Sequence, residues 1–347
     1  EMTAEALRIF EKASLNMAWY NRLVENREVI AEQLDAMAYI MEDCAKKQKN
    51  ITEECRSNLQ DIAYRARERG IKVIDEQLWE KENGRWQLVM KVMVKDGCVT
   101  TRELTKAVAG ALNRRMIPEK DTKTLIGKGV NLYTYEEEPR FQAIYGVARM
   151  VKDGAAVSGD NFSFLEPESG KMVMCLSDGM GSGSLACKES EMVIELVEKF
   201  LEAGFDVETA ARMMNSAMVM KGQEDLFSTV DISELDLYDG TCRFYKIGAA
   251  ATFIRRNGIV ECLISTSLPV GVSYKLDMEK SEKDLYNGDF LVMVSDGVLE
   301  YLHVPNPEET MQEIIESIET NNATILAKRI LERVLLFTGG KAADDMT

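Results

Sequence analysis

The chain has 347 residues with 46% hydrophobic and 29% charged content, and its 42 Lys and Arg face 58 Asp and Glu for a formal net charge of -16. That length suits two or three globular domains with a sizeable core, and the acid excess repels phosphate backbones and so excludes general nucleic-acid binding. Seven scattered cysteines without a CxxC pair exclude a zinc knuckle and a disulfide framework, and no stretch has the roughly 18 apolar residues that cross a bilayer.

Residues 1–48 predict one long helix. Ala6, Phe10, Ala13, Met17, Tyr20, Val24, Ala31, Leu34, Ala38 and Met41 follow a four-three spacing broken only at Arg27, a heptad seam. Such a seam reads either as a dimerising, signal-transmitting coiled coil or as a helix packed on its own domain; the expectation is a homodimer through this segment. Asn50-Ile51-Thr52-Glu53 is a capping box opening a second helix with Cys55, Leu59, Ile62 and Ala66 on one face and Gly70 as its stop. Residues 1–70 therefore read as a helical regulatory segment.

Residues 71–78 and 86–94 predict two strands joined by a turn containing Asn83-Gly84. A helix capped at Thr100 and ending near 113, then strands at 128–135 and 141–151, complete a small β-β-α-β-β module over 71–145, regulatory or docking in character. Gly127-Lys128-Gly129 lacks the spacing of a Walker loop and reads as a turn. From 146 to 347 the pattern is a third, layered domain: helices at 184–203 and 206–220, strands at 228–237, 241–248, 250–255, 258–264 and 289–294, and closing helices at 308–320 and 323–337.

Two apolar runs, 172–176 and 290–294, each end in Ser-Asp-Gly, which puts Asp178 and Asp296 at strand tips where the backbone turns sharply. Asp160 follows a Ser-Gly upstream, and Asp344 and Asp345 close the chain. Carboxylates held on rigid elements are what hard divalent cations favour. The single histidine, His303, sits in a Leu-His-Val-Pro loop and leaves no histidine-based nucleophile frame.

In order, Val157-Ser158-Gly159-Asp160, Ser177-Asp178-Gly179-Met180-Gly181, Leu268-Pro269-Val270-Gly271, Ser295-Asp296-Gly297 and Asp344-Asp345-Met346-Thr347 resemble the VSGD, SDGMG, LPxG, SDG and DDMT segments of PPM-type serine/threonine phosphatases. Within that family they are most similar to the stage II sporulation protein E (SpoIIE) group. The resemblance covers 146–347 and implies an α+β chain: a β-sandwich flanked by helical layers, preceded by the long amino-terminal helix and the small α/β module.

The resemblance also implies two divalent cations, Mn2+ or Mg2+. Asp178 would bridge both, the Gly179 carbonyl would assist the second, Asp296 and Asp344 would complete the first, and Asp160 would hold a metal-bound water; Asp345 is an alternative to Asp344. Eukaryotic members carry a histidine where Met180 stands, which leaves protonation of the leaving group to water. Their phosphate-binding arginine has no matched position, Arg149 being near in sequence. The implied partner is a phosphorylated anti-anti-sigma protein whose dephosphorylation activates a sporulation sigma factor, with a cell-division protein as a further candidate. Glu1 in place of Met reads as a fragment, cytoplasmic in itself and held at the membrane face by an upstream multi-span region. The alternative reading is a phosphatase-fold scaffold without activity. A movement of the two helices at 184–220, driven by the amino-terminal helices, would shift Asp178 and Gly179 and so switch metal occupancy.

Overall fold

The computed structural model describes residues 53–80, 85–119, 122–167, 170–181, 183–220, 227–273, 275–337, 339–342 and 344–347. The helix and seam expected over 1–48, the first residues of the capping box and the Asn83-Gly84 turn lie outside these residues. Among those described, the chain up to Arg140 forms one compact unit and Phe141–Thr347 another.

The first unit runs α1 (Glu53–Glu68), β1 (Ile71–Glu80), β2 (Trp86–Val94), β3 (Val99–Thr100), α2 (Thr101–Leu112), β4 (Met116–Pro118), β5 (Leu125–Ile126) and β6 (Asn131–Glu137). Its main sheet has the antiparallel order β1-β2-β6-β4. Period-two alternation along β2 buries Trp86, Leu88, Met90, Val92 and Val94. They share a core with Cys55, Ile62 and Ala66 of α1 and Leu104, Ala107 and Val108 of α2, so both helices cover one face of the sheet. Thr100 is the N-cap of α2, and Asn113 closes it in the left-handed region at φ 52. Two expectations need correction. The strand expected at 128–135 runs Asn131–Glu137, and the last strand of the sheet is the short β4 rather than residues 141–151, which belong to the other unit and make only a single bridge, Met150 to Met346.

The second unit contains β7 (Asp160–Leu165), β8 (Lys171–Gly179), α3 (Ser184–Glu202), α4 (Val207–Met220), β9 (Ser228–Asp236), β10 (Thr241–Ile247), β11 (Thr252–Arg256), β12 (Ile259–Leu263), β13 (Glu279–Asp284), β14 (Phe290–Met293), α5 (Asp296–Glu300), α6 (Pro307–Glu316) and α7 (Ala323–Phe337). The strands form a five-stranded sheet, β13-β10-β9-β8-β7, and a three-stranded sheet, β12-β11-β14. Alternation decides which way each residue faces. Val173 and Cys175 of β8 and Val230 and Ile232 of β9 pack with Val193, Val197, Ala210 and Met214 of α3 and α4. Phe253 of β11 packs with Met311, Ile315, Ile330 and Val334 of α6 and α7. The intervening residues, among them Cys242, Phe244 and Ile254, meet between the sheets. Burying a phenylalanine such as Phe244, which is 0% exposed, contributes about 2 kcal/mol. Helices, sheet, sheet and helices follow in layers, the α+β sandwich expected from the sequence.

Candidate metal centre

The carboxylates gather at one end of the inter-sheet face. Asp160 opens β7 and Asp178 lies near the end of β8, and the antiparallel ladder places them directly opposite each other. Their carboxylates therefore share one face of the sheet. Asp296 reaches the same place from the other sheet, where β14 ends and the short helix α5 begins at Ser295 as its N-cap. Burial, then the Asp296 carboxyl, then Asp160, drives the Asp178 carboxyl well above the usual carboxylate range. Burial also raises Asp160, with Asp345 adding to it, while the neighbouring Thr347 and Ser295 hydroxyls pull the other way.

Backbone ties hold this corner. Ser177 donates to Ser228 Oγ at 2.8 Å, and Ser228 donates to the Asp178 carbonyl at 2.7 Å. Ser190 of α3 donates to the Gly159 carbonyl and receives the Asn161 amide at 2.8 Å. Gly179 has no room for a side chain, because a Cβ there would collide with the Ala186 carbonyl in the first turn of α3. The Leu268-Gly271 turn bridges Ser228 through Val270 and seats Pro269 against Gly248, whose φ is 64°.

The end of the chain completes the corner as a strap. Met346 and Met150 exchange backbone hydrogen bonds, and Ser295 donates its amide to the Thr347 carbonyl at 3.1 Å. The two aspartates of the strap have different surroundings. Asp345 is 4% exposed and accepts from the Lys152 amide at 2.9 Å and the Gly159 amide at 2.7 Å, so both of its oxygens are engaged by the backbone. Asp344 stands beside Gly297, a third exposed, with Lys152 Nζ at 3.5 Å from its carboxylate. It acts on Glu300 together with Asp296, which places it at the rim on the Asp296 side.

The cluster fits hard cations by its own chemistry. Both carboxylate oxygens of Asp160 are buried without a hydrogen-bond partner, and ionised carboxylates this close need compensating positive charge. Among the described residues no three His, Cys, Asp or Glu side chains converge as a ready cage. One or two carboxylates per ion with water for the rest is how magnesium-like ions are held, and the arrangement suits that.

Arg149, which no motif assigned, donates to the Asp160 carbonyl and so stands at the site. Ser295, Thr229 and Thr347 were also missed as neighbours of the aspartates, although Ser295 and Thr347 lie within the very motifs that named Asp296 and Asp344. Thr229 donates no signal in sequence; it is found only by the register that sets it opposite Asp178. His303 is an exposed turn residue at φ 49, edge-on to Tyr301 at 5.5 Å.

Comparison with known proteins follows the same residues. Stage II sporulation protein E of Bacillus subtilis (strain 168) is 28% identical over 327 residues, covering 94% of this chain and 40% of that protein. Phosphoserine phosphatase RsbX of the same organism is 35% identical over 86 residues, 25% of this chain and 41% of that protein. The solved PP2C phosphatase domain with a fragment of the regulatory domain of the cell fate determinant SpoIIE, also from Bacillus subtilis, matches with a TM-score of 0.64 at 28% identity, over 94% of this chain and 96% of that one. The chain thus has the PP2C fold and spans less than half the length of the first relative. The family model for Stage II sporulation protein E (SpoIIE) matches residues 168–347, more than half of the chain and all of its SDG and DDMT segments, and the chain belongs to that family.

Proposed function

We propose that this chain is a metal-dependent protein serine/threonine phosphatase in which Asp160, Asp178, the Gly179 carbonyl, Asp296 and Asp344 hold two divalent cations, manganese or magnesium. One observation carries the reading: Asp160 and Asp178 are opposite partners at the end of the inter-sheet face with Asp296 beside them, and the buried oxygens of Asp160 form no hydrogen bond although the Thr347 and Ser295 hydroxyls stand near them. Bound there, such cations would supply a water nucleophile of lowered pKa and neutralise the phosphoryl oxygens. Asp178 is central because it lies between the buried Asp160 carboxyl and the exposed Asp296 carboxyl and interacts with both. Arg149, anchored on the Asp160 carbonyl, brings a guanidinium to the site, a group whose planar fork suits phosphate oxygens. Met180 follows Gly179 at 55% exposure and has no proton to give, so the leaving alkoxide takes its proton from solvent.

The substrate class we infer is phosphoserine or phosphothreonine on a protein, supported by the relative named a phosphoserine phosphatase. Family membership supports the finer reading, a phosphorylated anti-anti-sigma protein upstream of a sporulation sigma factor. Residues 1–70, with homodimerisation through the amino-terminal helix, and the 71–145 module are assigned regulation ahead of a 146–347 catalytic domain, with a cell-division protein as a further partner. Among the described residues no helix is long and apolar enough to cross a membrane; attachment to the cytoplasmic face through an upstream segment is part of the same proposal.

The test is phosphate release from a phosphoserine protein, with and without manganese, by the parent chain and Asp178→Asn. Manganese-dependent release that the substitution abolishes is expected. Release that persists in Asp178→Asn would overturn the two-cation reading, and binding of the phosphoprotein without release would favour a scaffold.

A further inference from the structure

The inter-sheet face carries a buried ion pair one row beneath the carboxylates. On β9, Thr229 stands opposite Asp178 and Asp231 opposite Leu176, so alternation sets Asp231 on the same face as Asp178, one step further into the sandwich. Lys246 of β10 is the direct cross-strand partner of Asp231. Its Nζ lies 2.5 Å from Asp231 Oδ2 and donates to Thr252 Oγ1 at 2.8 Å, while the Thr252 hydroxyl donates to the same Asp231 oxygen at 2.5 Å. Lys246, Asp231 and Thr252 are 3%, 2% and 0% exposed. Thr252 belongs to the other sheet, where it pairs with Met293 of β14, the strand that leads directly into Ser295 and Asp296.

Hydrophobic burial alone does not explain these residues. A buried pair often adds no stability over well-packed apolar residues of the same volume, because both charges lose their water. Apolar neighbours such as Phe244 and Ile254 already fill the same interface. What apolar contact lacks is direction: it tolerates sliding, whereas three mutual hydrogen bonds weaken within a few tenths of an ångström of their optimum. The triangle closes only at one spacing of the two sheets, and it does so where one sheet presents Asp178 and the other Asp296.

We propose that Lys246, Asp231 and Thr252 form a positioning strut that fixes the spacing of the two sheets at the carboxylates, and that metal affinity depends on it. This rests on the metal-dependent reading above. The residues touch neither metal nor substrate; they act through the strands that carry Asp178 and Asp296.

The test measures Mn2+ binding to the full chain by titration calorimetry, and thermal unfolding in EDTA, for three variants. Thr252→Val keeps the shape and removes the shared hydroxyl; Thr252→Ser keeps the hydroxyl; Asp231→Leu with Lys246→Met replaces the pair by apolar groups. The strut predicts that the Val and double variants lose about tenfold or more in Mn2+ affinity, as is usual when groups that hold metal ligands in place are removed. Both should stay folded in EDTA, the double variant melting close to the parent and Thr252→Val somewhat lower because it strips hydrogen bonds from two buried charges, and Thr252→Ser should bind as the parent does. A Val variant that folds and binds Mn2+ as tightly as the parent overturns the strut, whether or not the double variant folds. A loss of affinity in Thr252→Ser equal to that in Thr252→Val overturns it too, since the hydroxyl would then be irrelevant. A parent chain that binds no Mn2+ overturns instead the metal-dependent reading beneath it.

Discussion

Asp160 and Asp178 are opposite partners across β7 and β8, and the ladder runs through them from Leu165 and Val173 without a break in register. Their closeness is therefore a property of the backbone, set by hydrogen bonds along the whole strand pair. A slip of one residue would turn Asp178 from the inter-sheet face to the helix-covered one, together with every apolar residue behind it. The apolar pattern that builds the core also fixes the site.

The first prediction follows from that crowding. In the absence of a cation, Asp178 favours its neutral form because burial and two other acids oppose its charge. Asparagine has nearly the same shape and is always neutral. Asp178→Asn should leave the melting temperature in EDTA within a few degrees of the parent or raise it. Added Mn2+ should stabilise the parent by about 2.7 kcal/mol at one hundred times the dissociation constant and leave the variant unmoved. Differential scanning calorimetry with and without Mn2+ checks both halves, and equal stabilisation of the variant would remove Asp178 from the ligand set.

A second prediction concerns the turn after Asp178. A Cβ at Gly179 would meet the backbone of Ala186, and backbone cannot rotate away as a side chain can. Gly179→Ala should push the first turn of α3 off the strand tip and cost about 1 to 3 kcal/mol, the usual range for overpacking. Because Ser190 of the same helix holds the Gly159 carbonyl next to Asp160, Mn2+ affinity should fall as well. Urea unfolding together with metal titration measures the two effects, and a variant unchanged in both would show that α3 does not constrain the site.

Particular elements show what could be read from the sequence. The SDG strand tips were legible because an apolar run of strand length stops at a residue pair that only a sharp turn accommodates. The strand at Glu279–Asp284 was not: EKSEKD has no apolar alternation, and it forms because β10 offers an unpaired edge. Residues 141–151 failed in the opposite sense. Their apolar residues promised a strand, but none of them is buried and they form no strand: Ile144 is exposed, and Tyr145, more than half exposed, stacks on Phe164 with centroids 4.2 Å apart. The strut was invisible because Asp231, Lys246 and Thr252 lie on three strands and meet only through register and sheet packing. Periodicity says which face a residue takes, and says nothing of what stands opposite it.

The choice between the two terminal aspartates shows the same limit and yields the last prediction. Neighbours on an extended strap point opposite ways, so Asp-Asp in sequence does not say which carboxylate faces the site. Asp345 is buried and receives two backbone amides, from Lys152 and Gly159, whereas Asp344 stands at the rim with the partly exposed Lys152 ammonium beside it and accepts one local amide, that of Asp345, at 3.0 Å. Asp345→Ala would orphan both amides, and hydrogen bonds to a charged acceptor make that loss about 2 to 4 kcal/mol. Asp344→Ala removes one partly exposed ion pair and one local hydrogen bond from the Asp345 amide, which water can replace at the rim, together worth about 1 kcal/mol. The two substitutions should therefore separate cleanly. Asp345→Ala should unfold at markedly lower urea in EDTA and lose Mn2+ affinity only because the strap detaches, so that Asp345→Asn, which keeps one acceptor, recovers part of both. Asp344→Ala should stay close to the parent in urea and lose Mn2+ affinity outright, with no recovery in Asp344→Asn. The reverse pattern, a stable Asp345→Ala chain that binds no Mn2+, would make Asp345 the ligand and Asp344 a surface residue.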